Sequence, residues 1–72
     1  MKDLIHYIVK GLVENPDSIE LDEDERGNFR LCVAEEDRGK VIGRKGRTVH
    51  AIRTILAVSS GGDSAPELEI ID

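Results

Sequence analysis

Val41-Ile42-Gly43-Arg44-Lys45-Gly46-Arg47 sets two cations between glycines three apart, behind an apolar pair and ahead of a further cation. A helical apolar pattern leaves it on the C-terminal side through Val49, Ile52, Ile55 and Leu56. Across residues 38–53 the chain carries six Lys or Arg and no Asp or Glu. The remaining residues hold four basic and fifteen acidic side chains, so this segment carries +6 against −11 elsewhere. A chain of net charge −5 has gathered most of its positive charge around one glycine turn.

Seventy-two residues make a single domain, 1–72, with a small core. A chain of this length buries only roughly 60% of its unfolded surface, and the usual staples are missing. Cys32 is the lone cysteine, and with two separated histidines it forms no metal cluster, so no cofactor is expected. A lone thiol fits a reducing cytoplasm. No apolar run approaches the ~20 residues of a membrane span, and Met1 opens on an amphipathic pattern rather than a signal peptide. Without staples, association with a second copy or a partner chain is expected. Bulk acidity argues weakly against nucleic-acid binding, but the distribution outweighs the sum: one basic face orients a polyanion while acidic faces repel it.

Outward from the glycine turn, the pattern predicts helix, strand, strand, helix, helix, strand. Leu4, Ile5, Ile8, Val9, Leu12 and Val13 predict a helix over 2–13 with one apolar face, ended by Asn15-Pro16-Asp17. Ile19 and Leu21 alternate with Glu20 and Asp22 as a strand. Glu25-Arg26-Gly27-Asn28 supplies turn residues. A second strand puts Phe29, Leu31 and Val33 on one face and Arg30, Cys32 and Ala34 on the other, making an antiparallel hairpin. Glu35-Glu36-Asp37 opens a short helix that Gly43 stops, and a second helix runs from about 46 to 58. Residues 59–64 read as a loop, and Pro66 introduces a last strand over 67–71 with Leu68 and Ile70 on one face.

Glycines at 43 and 46 permit backbone angles closed to other residues and let another backbone approach. The helix that follows turns its unpaired N–H groups and positive dipole end toward the turn, which suits a phosphate. Arg44 and Lys45 between the glycines, with Lys40 and Arg47 beside them, supply mobile cations, and Val41 and Ile42 an apolar floor for bases. The parts of a groove for single-stranded nucleic acid are together.

The run D-R-G-K-V-I-G-R-K-G-R-T over 37–48, followed by A-I-R-T-I-L over 51–56, resembles the core of KH domains, whose GXXG loop clamps about four nucleotides. Length and the E-E-D-R-G-K-V-I-G context look like the KhpA group of small bacterial KH proteins. The resemblance implies an α+β fold of type II (prokaryotic) order, α-β-β-α-α-β, with a three-stranded sheet packed against three helices. It implies non-catalytic binding of single-stranded RNA, as an RNA chaperone or post-transcriptional regulator in the cytoplasm, and pairing with a second copy or with a KhpB-like KH protein. Gly43, Arg44, Lys45 and Gly46 match the phosphate-binding loop, and Ile42 the apolar residue under the bases. Lys40 and Arg47 match flanking backbone contacts. The strand over 29–33 is expected as the opposite wall of the groove, with Arg30 as a base or sugar contact. Relatives often have basic residues before the last strand, where this chain has S-S-G-G-D-S, a departure expected to weaken affinity.

Plainer readings compete. Arg44 and Lys45 read otherwise as a solvated loop tip, and Ile42 as a core residue, roles it can combine with RNA contact. Arg53 reads as solvated or salt-bridging, His6 and Cys32 as structural, and His50 as a surface residue or an RNA neighbour. A Walker A loop fails because no glycine here is followed by Lys-Ser/Thr, and the G-x-G-x-x-G dinucleotide triplet is absent. No nucleophile–base pair is suggested, so neither an enzyme nor a small-molecule substrate is expected. With Tyr7 and Phe29 the only aromatics, base stacking contributes little. The competing function is a protein-interaction module of KH fold with little RNA binding of its own.

Overall fold

Ile5 and Val9, one helical turn apart and both fully buried, seat the first helix, α1 (Lys2–Lys10), on the core. The computed structural model describes residues 1–61 and 66–71. Strands β1 (Glu20–Glu23) and β2 (Phe29–Cys32) form the expected antiparallel hairpin, with Leu21 opposite Leu31 and Asp22 opposite Arg30. Helices α2 (Glu35–Ile42) and α3 (Arg47–Ser59) follow, and β3 (Leu68–Ile70) closes the order. The α+β architecture of three helices and one three-stranded sheet is the expected one.

Strand order is β1-β2-β3, and β3 runs parallel to β2 with Leu68 opposite Phe29 and Ile70 opposite Leu31. A parallel neighbour needs a long crossover, which α2 and α3 supply. Phe29, Leu31 and Leu68 turn to the helices and are buried with Val41 of α2 and Val49, Ile52 and Leu56 of α3. The alternate residues Arg30 and Glu69 face solvent, so the sheet is covered on one side only. Each fully buried aliphatic side chain contributes about 1.5–3 kcal/mol, which concentrates stability in this single layer.

Two expectations change in detail. The first helix ends at Lys10 rather than near Asn15-Pro16, with Gly11 as its cap. The cause is long-range. Glu14 and Asn15 donate their backbone N–H groups to the Asp37 carboxylate at 3.1 and 3.0 Å, and Asn15 Nδ2 donates to it at 3.0 Å. Those bonds draw the chain away from the helix path before Pro16 begins a short 3₁₀ turn, Pro16–Ser18. The last strand is shorter than 67–71, although Ile71 still donates to Leu31 O at 2.9 Å. Of the expected loop over 59–64, residues 62–64 lie outside the described residues.

Candidate nucleic-acid interface

α2 ends where Gly43 takes φ 77°, ψ 169°, a backbone region almost closed to residues bearing a Cβ. Its N–H still donates to Gly39 O at 2.8 Å, closing the helix. A Cβ at Gly43 would run into the Thr48 side chain and stand 2.8 Å from the Thr48 amide nitrogen. Glycine is therefore required twice there, by conformation and by the closeness of α3. One 3₁₀ turn, Arg44–Gly46, follows, closed by Gly46 N–H donating to Gly43 O at 3.1 Å. Lys45 sits at φ 56°, ψ 26°, and Gly46 at φ 75°, ψ 15°. A left-handed lysine is uncommon, and such outliers gather at sites that hold ligands.

This geometry leaves the start of α3 open. Arg47 N–H donates to Arg44 O, but no side chain caps the helix, so its positive dipole end lies beside Arg44, Lys45 and Arg47, all exposed. Among the described residues those three cations form no ion pair. An anion meeting this turn finds a positive helix end and mobile charge together.

Next to the loop lies a cleft of about 790 Å³ lined by Ile42, Val49, Arg53 and residues 66–70. Ile42 is half-buried, packed against the core and on the cleft wall at once, so its two readings are compatible. The opposite wall is β3, not β2 as expected. β3, being parallel to β2 and at the edge of the sheet, stands between β2 and the cleft. Arg30 accordingly is not among the cleft-lining residues; its side chain is on the solvent face, 3.9 Å from Glu69 Oε2. Lys40 is also committed. Its ammonium is 3.0 Å from Glu14 Oε1 and 3.7 Å from Asp37 Oδ1. The hydrogen bond to Glu14 raises its pKa above the ordinary value, against a smaller lowering by desolvation, and the two carboxylate charges add to the rise.

Two functional supports escaped the sequence reading. Asp37, expected only as a helix-start carboxylate, is wholly buried and anchors the chain after α1 to α2. Desolvation pushes its pKa up, but the N–H donors of Glu14 and Asn15 and the charge of Lys40 together bring it below the ordinary value. Only its place in the first turn of α2 hinted at a role. Arg53, read as solvated or salt-bridging, donates through Nε and Nη2 to Leu68 O at 3.2 and 2.8 Å, tying α3 to β3 across the cleft. Among the described residues no group of three His, Cys, Asp or Glu could hold a metal ion, and no helix is long and apolar enough to cross a membrane.

The family described as "KhpA/KhpB, KH domain" matches residues 2–66. The RNA-binding protein KhpA of Chlamydia trachomatis is 43% identical over 76 aligned positions, covering all of this chain and 97% of the relative. The RNA-binding protein KhpA of Listeria monocytogenes is 42% identical with both chains fully covered, and that of Thermotoga maritima 31% identical with 99% of each covered. No solved structure matches the chain.

Proposed function

The chain belongs to the KhpA/KhpB family of KH domains, and we propose on that premise that it binds single-stranded RNA through the 43–46 loop. It is a non-catalytic RNA-binding protein, and its relatives are RNA-binding proteins by name. The observation that carries the loop assignment is the uncapped start of α3, framed by two positive-φ glycines and by Arg44, Lys45 and Arg47. Phosphates lie over Gly43, Arg44, Lys45 and Gly46, with Arg47 beside them, and bases rest on Ile42 in the neighbouring cleft. Lys40 joins only by loosening its hold on Glu14 and Asp37, and Arg30 only by reaching round the edge of β3, so both are secondary contacts.

With two aromatic residues in the chain, electrostatics and apolar contact supply most of the affinity. Base selectivity is therefore modest, which suits an RNA chaperone or post-transcriptional regulator acting in a bacterial cytoplasm. Pairing with a second copy or a KhpB-like protein is supported by the small core and by Tyr7 and Val58, 78% and 77% exposed. Those same side chains favour a second reading, a protein-docking module with slight RNA binding.

The test is a double charge reversal, Arg44→Asp with Lys45→Asp, read by fluorescence anisotropy on a labelled single strand. Both side chains are exposed, so the melting temperature should hold while affinity falls about 100-fold or more. Unchanged affinity would sink the loop assignment. In an NMR titration, shifts over residues 40–47 on adding RNA support the first reading; shifts produced only by a protein partner support the second.

A further inference from the structure

β3 is an edge strand, and its backbone groups divide between two sides. Phe29 N–H donates to Glu67 O at 2.8 Å, and Ile71 N–H donates to Leu31 O at 2.9 Å. In a parallel pair alternate residues carry the bonds to the neighbour, so Leu68 and Ile70 turn their N–H and C=O groups to the open edge. Both residues line the cleft. Leu68 O and Ile70 N–H thus form an acceptor–donor pair there, of the kind that a further strand or the edge of a base engages.

Arg53 has taken half of that pair. Its Nε and Nη2 donate to Leu68 O at 3.2 and 2.8 Å, so the acceptor is covered from the α3 side. A guanidinium has five N–H donors and no acceptor, and three of the five stay beside the carbonyl they cover. The same side chain lines the cleft with Ile42 and Val49. Where a bare edge would show one acceptor and one donor, this edge shows donors in both places.

We infer that Arg53 is a specificity-determining residue: by covering Leu68 O it turns a wall patterned for adenine into one patterned for guanine. The inference rests on the RNA reading above. A C=O beside an N–H repeats the pattern of an Asn or Gln amide, which pairs with adenine N6 and N7. Two donors side by side pair instead with guanine O6 and N7. A guanine resting on Ile42 therefore meets the Arg53 N–H groups and Ile70 N–H with two acceptors. An adenine brings its amino group against the same donors, and that group is left unpaired at a cost. Arg53 is exposed, so solvent softens the contrast, and a preference of about fivefold is expected.

The experiment compares three labelled RNA 9-mers by anisotropy at fixed salt: UUG, UUA and UUI repeats, where I is inosine, which keeps O6 and N7 but lacks the guanine amino group. The proteins are the unaltered chain, Arg53→Met and Arg53→Lys, each checked for folding by circular dichroism. The unaltered chain should bind the guanosine and inosine strands alike, about fivefold tighter than the adenosine strand. Arg53→Met bares Leu68 O, and the ratio should fall to one or below. Arg53→Lys keeps the charge without the two-pronged grip, and its ratio should fall to about twofold; where Arg53→Met fails to fold, this variant decides. Loss of charge or of stability alone lowers affinity for all three strands in step and leaves the ratio unmoved. An unmoved ratio, or an unaltered chain that does not prefer guanosine and inosine, overturns the inference while leaving the RNA reading intact. Failure of the unaltered chain to bind any of the three strands overturns the RNA reading and this inference with it.

Discussion

The β1–β2 hairpin turn and the turn between α2 and α3 both use glycine at positive φ, and they handle their backbone donors in opposite ways. In the hairpin turn between β1 and β2, Asp24 Oδ1 accepts from Arg26 N–H at 2.8 Å and Asn28 N–H at 2.9 Å, and Gly27 lies at φ 85°. That turn carries its own anion and has satisfied itself. Between α2 and α3, Gly43 and Gly46 supply the same backbone freedom, but no side chain caps the helix that follows. The flanking residues are cations rather than carboxylates. A turn that brings its own carboxylate is closed to ligands; one that brings cations and leaves the next helix without a side-chain cap is made to receive a foreign anion.

The two turns should differ most in how they tolerate loss of their glycines. Gly43→Ala should have the largest effect, about 3 kcal/mol or more, because it adds the clash with Thr48 to a forbidden backbone angle. A melting temperature lower by roughly 10 °C or more, with RNA binding lost, is the expected result. Gly46→Ala and Gly27→Ala meet no neighbour closer than 4.0 Å, so each should cost only about 1 kcal/mol. Gly27→Ala should leave RNA affinity unchanged, and a binding defect there would erase the distinction between the two turns.

Two carboxylates support the molecule to different degrees. Asp24 is held below its ordinary pKa chiefly by the Asn28 backbone N–H, outweighing desolvation, and Asp37 by the donors of Glu14 and Asn15 against its burial. Lowered folded values mean their stabilisation is fully present above pH 3.8 and is lost as pH falls through still lower values. Asp37→Asn should therefore lower the urea midpoint at pH 7 markedly, and Asp24→Asn modestly, with both differences shrinking below about pH 3.8. A gap for Asp37→Asn that stayed constant down to pH 2 would contradict that account.

Salt offers a gentler probe. If the 43–46 loop clamps about four nucleotides, log affinity should fall with log salt at a slope of about −3. A slope near zero would leave the open turn without an electrostatic role. The smallest effect is assigned to Lys40. Its ammonium already serves Glu14 and Asp37, so Lys40→Ala should weaken RNA binding only about twofold, well short of Arg44→Ala. A loss as large as that of Arg44→Ala would show that RNA outcompetes the two carboxylates.

Local chemistry made much of this legible before any coordinates. The alternation at Phe29, Leu31 and Val33 identified the buried face of β2, all three at 5% exposure or less. Gly43 marked the end of α2, and the cations between it and Gly46 marked the open turn. What went astray involved partners far away in sequence. The end of α1 is drawn in by Asp37, 22 and 23 residues beyond Asn15 and Glu14. The wall of the cleft passed from β2 to β3 because parallel pairing puts the last strand at the open edge. Arg53 found its partner in the backbone of that strand, 15 residues on, which no side-chain pattern announces.

The amino-acid order alone thus determined the element sequence, the inward faces and the chemistry of the glycine turn, since each depends on residues within one or two turns of chain. Only tertiary structure decided which cations remain available and what stands across the cleft. Arg44, Lys45 and Arg47 point to solvent, while Lys40 has found Glu14 and Arg30 lies on the open face of the sheet beside Glu69. The physical reason is that a charge's availability depends on what the fold brings within about 4 Å of it. That neighbour is set by how helices and strands pack, not by the residues beside it in the chain.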